Sequence, residues 1–189
     1  MRKTKLALLA LLGLTLAGCV LSLNPLFKDG DGTFDPALNG VWEAPEGKGT
    51  FTFRGFPADK FYSLETHFTN QPKAEFNAVL GTVGKHRFLQ LVPRRPDNIH
   101  AKSFYGGHFI QACSFWKVTL ESNSLTLMSL DYRWVERMDK AKKLDIQHEQ
   151  QEGGFIILTA PTEELKAFVL KYADDTSAFS DGLTFERKK

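Results

Sequence analysis

From Gly40 to Val92 the chain is written in short runs that end on turn-forming residues. In Gly49 to Arg54 (GTFTFR), Phe51 and Phe53 fall on one face and Thr50 and Thr52 on the other. That period of two belongs to a strand with one buried face. Gly40 to Glu43, Phe61 to Phe68, Lys73 to Val83 and Lys85 to Val92 read as further strands, the last two forming a hairpin across Gly84. Pro93-Arg94-Arg95-Pro96-Asp97 reads as a loop, because proline has no N–H to give to a ladder. A second set follows: His108 to Leu120, Leu125 to Leu130, Leu144 to Gln150 and Phe155 to Thr159 about Gly153-Gly154, and a short Leu183 to Arg187. Roughly eight to nine short strands with regular turn signals predict a mainly β domain, a barrel or a strongly curved antiparallel sheet.

Two amphipathic helices interrupt the strands. Asp131 is a candidate N-cap for Tyr132 to Lys142, with Trp134, Val135 and Met138 facing inward. Pro161 suits a first helical position, and Glu163 and Glu164 follow in the first turn, where negative charge is favoured. Leu165, Phe168, Val169 and Tyr172 then keep helical spacing, so this helix should pack on the sheet. Sixteen phenylalanines supply bulk for a packed interior or a lining for an apolar cavity.

The first residues have a different logic. Arg2, Lys3 and Lys5 precede Leu6 to Ala17, a stretch of twelve almost wholly apolar residues. That length suits the central region of a signal peptide and is too short to span a bilayer. It runs into Leu16-Ala17-Gly18-Cys19, which resembles the lipobox of bacterial lipoproteins. The resemblance implies a diacylglycerol on the Cys19 sulfur, removal of residues 1–18 and acylation of the new amine. Val20 and Leu21 follow. No aspartate stands at the second position, where it resembles an inner-membrane retention signal. The resemblance therefore implies the outer membrane, facing the periplasm, in a Gram-negative source. Residues 19–34 read as a lipidated N-terminus, tether and lead-in loop, and 35–189 as a single β-rich domain.

Cleavage changes the arithmetic. The full chain has 24 basic and 22 acidic residues, a balance of +2; losing Arg2, Lys3 and Lys5 and no acid leaves 21 against 22, a balance of −1. Neither balance gives reason to expect a nucleic-acid partner. With Cys19 lipidated, Cys113 is alone, so no internal disulfide can form. In its apolar stretch it reads as a small buried hydrophobe.

Phe34-Asp35-Pro36-Ala37-Leu38-Asn39-Gly40-Val41-Trp42 is similar to the start of lipocalin-like domains, where a G-x-W opens the first strand. The resemblance implies that Gly40 and Trp42 are structural, the tryptophan plugging the closed end of a barrel. It also implies an Arg or Lys late in the last barrel strand, stacked on that tryptophan. Phe155 to Thr159 holds none, and Arg187 is the candidate.

Residues that could carry chemistry are scattered. Gly81-Thr82-Val83-Gly84-Lys85 lacks phosphate-loop spacing. His67, His86, His100, His108 and His148 show no metal-ligand spacing. Glu163-Glu164 and Asp174-Asp175 are sequence neighbours and do not face one point as an acid/base pair. Arg94-Arg95 suits a solvated loop or an anionic head group. The sequence thus predicts no catalytic set, no metal and no cofactor. It predicts a binding module for a small apolar or amphipathic ligand, or a structural lipoprotein acting through an envelope protein. Tyr105 to Phe109 and the Tyr132 helix are the candidate contact surfaces.

Overall fold

A computed structural model describes residues 20–95, 99–151, 155–180 and 182–188. Cys19 and the signal-peptide reading lie outside these residues, as do Pro96, Asp97, Gly153 and Gly154. The strands are β1 (Leu21–Ser22), β2 (Gly40–Glu43), β3 (Gly49–Phe56), β4 (Phe61–Phe68), β5 (Ala74–Val83), β6 (His86–Pro93), β7 (Ser114–Leu120), β8 (Ser124–Ser129), β9 (His148–Gln150), β10 (Ile156–Leu158) and β11 (Leu183–Arg187). The helices are α1 (Phe104–Gly107), α2 (Tyr132–Lys140) and α3 (Thr162–Tyr172).

Eight strands close a barrel in the order β11-β2-β3-β4-β5-β6-β7-β8, every neighbouring pair antiparallel. β2 to β8 follow one another around the wall. β11, far along the chain, fills the gap between β8 and β2. The alternation of β3 holds, with Phe51 and Phe53 buried and Thr50 and Thr52 on the other face. Inward residues come from all eight strands, among them Trp42, Phe53, Tyr62, Leu80, Leu89, Val118, Leu127 and Phe185, and form one buried cluster. Closure leaves the sheet no free edge, which removes the hazard of unpaired strand backbone.

β10 lies outside the barrel. It joins β1 and β9 in a separate three-stranded sheet, β1-β10-β9. Phe155 to Thr159 is therefore not the last barrel strand; β11 is. The insertion between β8 and β11 covers the outer wall. Phe88 and Phe115 point outward from β6 and β7 into a second apolar cluster with Trp134 and Val135 of α2 and Leu165, Phe168 and Val169 of α3. Burying both faces of this part of the wall explains why β6 reads as an apolar run (HRFLQLVP) rather than an alternation.

The helix signals translate into local contacts. The Asp131 side chain accepts from the Trp134 N–H at 2.6 Å and so caps α2, which ends at Lys140. Pro161 is the residue before α3, which begins at Thr162; its extended backbone (ψ 157°) holds it outside the helix. His108 to Leu120 is strand only from Ser114, since Gly107 closes α1 and residues 108–112 run as a connection. Pro93, expected in a loop, is the last residue of β6, opposite Phe76.

Residues 20–34 depart most from expectation. A tether would be exposed, yet Val20, Ser22, Leu26 and Phe27 are buried. Ser22 and Cys113 exchange both backbone hydrogen bonds, at 2.8 and 2.7 Å. Leu21 pairs with Ile157. The segment is an outer layer of the domain, held by apolar burial and strand pairing.

Candidate functional site

At one end of the barrel the chain entering β2 forms a plug. A 3-10 turn over Pro36–Leu38, capped by the Asp35 side chain, drops Leu38 into full burial. Trp42 is completely buried, and its indole N–H donates to the Leu38 carbonyl at 2.9 Å. The Arg187 guanidinium lies over the Trp42 ring at 4.1 Å. It donates from Nη1 to the Asn39 carbonyl at 2.8 Å, from Nη2 to the Ala37 carbonyl and from Nε to the Ser122 carbonyl at 3.1 Å. Gly40 adopts φ +116°, and a Cβ there would stand 3.2 Å from Arg187 Nη1. Glycine meets both demands, a left-handed backbone and room for the guanidinium.

The plug is also bonded to the opposite wall. Asp35 accepts from Arg87 Nη2 at 2.7 Å. Its N–H donates to the Tyr62 hydroxyl at 2.7 Å, and that hydroxyl donates back to the Asp35 carbonyl at 2.9 Å. Partial burial works against ionisation of Asp35. The Ala37 N–H and the Arg87 guanidinium outweigh it and hold the carboxyl below its ordinary value of 3.8. Burial pushes the Tyr62 phenol up. These residues seal an end; their polar groups are spent on one another and on the backbone.

Inside the barrel, aromatic rings from β3, β4 and β11 meet. Phe51 and Phe185 rings meet at 4.5 Å, Phe51 and Phe53 at 6.2 Å, and Phe53 and Tyr62 at 6.2 Å.

A cavity of about 530 Å³ lies on the outer wall. Its base is Asn77 and Val79 of β5 with Gln90 and Val92 of β6. Phe27 and Phe61 flank it, and Lys28, Asp29, Asp59 and Lys60 line its rim. The N-terminal segment builds one side. Gln90, buried in the otherwise apolar RFLQLV run, accepts from the Phe27 N–H at 2.8 Å through Oε1 and so fixes that segment to β6. Gly81 lets the Phe27 ring sit where a Cβ would come within 2.6 Å, and Gly32 allows equally close approach to the Lys60 carbonyl. Asp31, beside the rim, accepts from Lys166 Nζ at 2.9 Å and from the Lys28 N–H at 3.1 Å; both hold its carboxyl down. Apolar Phe27, Phe61, Val79 and Val92, together with polar Asn77 and Gln90 and a charged rim, suit an amphipathic molecule. The sequence reading missed this site. Its one local signal was Gln90, a polar residue inside an apolar strand.

The other sequence candidates disperse. His148 Nε2 is 3.1 Å from Asp139, His86 Nε2 is 3.2 Å from Asp174, and His108 packs on the Phe104 ring. Among the described residues no group of three possible metal ligands converges. Glu163 pairs with Lys28 and Asp174 with Lys85 at the surface, while Asp175 accepts from Ser177. Arg94 pairs with Glu75, and Arg95 donates to the Gly106 carbonyl at 2.6 Å. Cys113 is buried, and burial pushes its thiol up, away from the reactive thiolate. Comparison with known protein families, curated proteins and solved structures found no match to this chain.

Proposed function

We propose that the chain is a lipid-anchored cell-envelope lipoprotein whose barrel is a rigid, non-catalytic scaffold for binding a small amphipathic ligand in the outer-wall groove. The groove carries this reading: about 530 Å³ of space lined by Phe27, Phe61, Val79 and Val92 beneath a charged rim. Anchoring rests on Leu16-Ala17-Gly18-Cys19 after the apolar run. By the same resemblance the domain faces the periplasm from the outer membrane of a Gram-negative cell. A lipocalin-like relationship is supported by Gly40 and Trp42 at the first barrel strand and by Arg187 over the indole. The non-catalytic reading is supported by His86 and His148, each paired with a carboxylate away from the groove.

Titration of the purified chain with a fluorescent fatty acid tests the groove. Saturable binding that is lost in Val92→Asp and kept in Leu125→Val supports it. Equal binding by all three proteins overturns it. The second reading, a structural or assembly role through an envelope protein, draws on Phe104 and Ile110, which are 89% and 75% exposed.

A further inference from the structure

Exposed large apolar side chains are unevenly placed. Seven are described: Leu23, Phe56, Phe104, Phe109, Ile110, Phe155 and Leu170. Five of them belong to three chain segments that converge on β1. Leu23 follows it directly. Phe104, Phe109 and Ile110 lie in the β6–β7 connection, whose end is bonded to β1 through Ser22 and Cys113. Phe155, 54% exposed, immediately precedes β10, which runs parallel to β1 with Leu21 beside Ile157.

The chain preceding residue 20 also attaches here. Val20 is buried and leads straight into β1. In the sequence Cys19 precedes Ser22 by three residues. Ile110 precedes Cys113 by three and, at no more than about 3.6 Å per residue, lies within about 11 Å of the bonded pair. A lipid on Cys19 would leave the domain beside the exposed apolar side chains.

Charge beside Phe104 agrees with that placement. Between Arg94 and Cys113 the sequence has Arg94, Arg95 and Lys102, with Asp97 as the one carboxylate, while Glu149 and Glu152 precede Phe155. Arg94 is paired with Glu75, so Arg95, which donates to the Gly106 carbonyl, and the exposed Lys102 supply the positive charge near Phe104. Apolar side chains interleaved with cations fit the interface of an anionic bilayer, where rings enter the acyl boundary and cations meet phosphates.

We propose that the β6–β7 connection, with Leu23 and Phe155, seats the domain on the bilayer carrying its own anchor, fixing the barrel's orientation. This rests on the lipid-anchor reading and adds that the protein itself, besides its lipid, enters the interface. A protein partner would not require the anchor to emerge beside this surface.

The test uses the lipidated full chain in vesicles of phosphatidylethanolamine and phosphatidylglycerol. Phe104→Cys, Ile110→Cys and, from the opposite end of the barrel, Phe56→Cys are each labelled with an environment-sensitive fluorophore. Buried Cys113 does not compete. Lipids brominated along the acyl chain should quench the label at 104 and 110 and leave that at 56 bright. Labels at all three positions remaining equally open to an aqueous quencher overturn the proposal. So does protection of 104 and 110 in cells but not in vesicles, which assigns the surface to a protein. Mass spectrometry of the same samples reports the Cys19 lipid separately. Without that lipid the anchor reading fails, and the seating proposal fails too if the vesicles do not then quench 104 and 110.

Discussion

The guanidinium of Arg187 stacks 4.1 Å above the ring of Trp42 while bonding the carbonyls of Ala37 and Asn39, which lie on the turn that leads into the Trp42 strand. One side chain thus joins β11 to the plug and covers its largest buried ring. Arg187→Ala should lose the stack and three charge-assisted hydrogen bonds, about 1–3 kcal/mol in all. Urea unfolding should show a lower midpoint with an unchanged slope. Arg187→Lys should recover only part of the loss, because an ammonium cannot reproduce the flat fork.

Asp35 gives the plug an acid-sensitive bond. A carboxyl held lower in the folded state than in the unfolded chain adds stability above its unfolded value, and that stability drains away as pH falls through the folded one. The relevant window therefore begins near the ordinary value of 3.8 and extends below it. Asp35→Asn keeps an acceptor for Ala37 but loses the charge that pairs with Arg87. Thermal unfolding should find the variant less stable at neutral pH, with the difference shrinking as pH falls into that window. A constant difference would mean that the ion pair contributes nothing.

The packing of the interior can be tested by removing one ring. Phe185 is fully buried, and its ring meets Phe51 at 4.5 Å. Phe185→Ala should cost roughly 3–5 kcal/mol and leave an apolar void. Such voids stay dry and take up small apolar molecules. Benzene should raise the melting temperature of the variant and leave the parent unaffected. Stabilisation of both would reveal a cavity already present.

Gly81 tests the seat of the N-terminal segment. Gly81→Val would drive side-chain atoms into the Phe27 ring, 2.6 Å from where a Cβ would stand, at a cost of about 1–3 kcal/mol. Because Phe27 belongs to the outer layer, the disturbance should stay local. Limited proteolysis should cut within residues 20–34 of the variant and spare them in the parent, while far-ultraviolet circular dichroism remains that of the barrel.

These contacts show what was legible in the sequence. Phe51 and Phe53 revealed their strand because one face is buried, and Asp131 revealed its helix because a cap acts within a few residues. Gly40 and Trp42 carried enough local pattern to be singled out. The place of β11 was not legible: its pairing with β2 depends on how far the intervening insertion folds away from the wall. Nor was the burial of Leu26 and Phe27, since two apolar residues among Asn, Pro, Asp and Gly look like a loop until Gly81 and Gln90 make a seat for them. The groove exists only through that seat, so no reading of single segments could find it.

The barrel wall has two seams that cannot be sewn locally, and β11 makes both. Its pairing with β8 spans the insertion between them, and on its other side Arg187 reaches Ala37 and Asn39 across separations of 150 and 148 residues. Pairings of such range make folding slow, because the ends of a long loop must find each other before their contacts reward the search. As the chain is made amino end first, β2 to β8 are present as an open sheet before β11. The ring shuts only when the segment bearing Phe185 and Arg187 arrives. Closure of the barrel therefore waits on the strand that comes last in the chain.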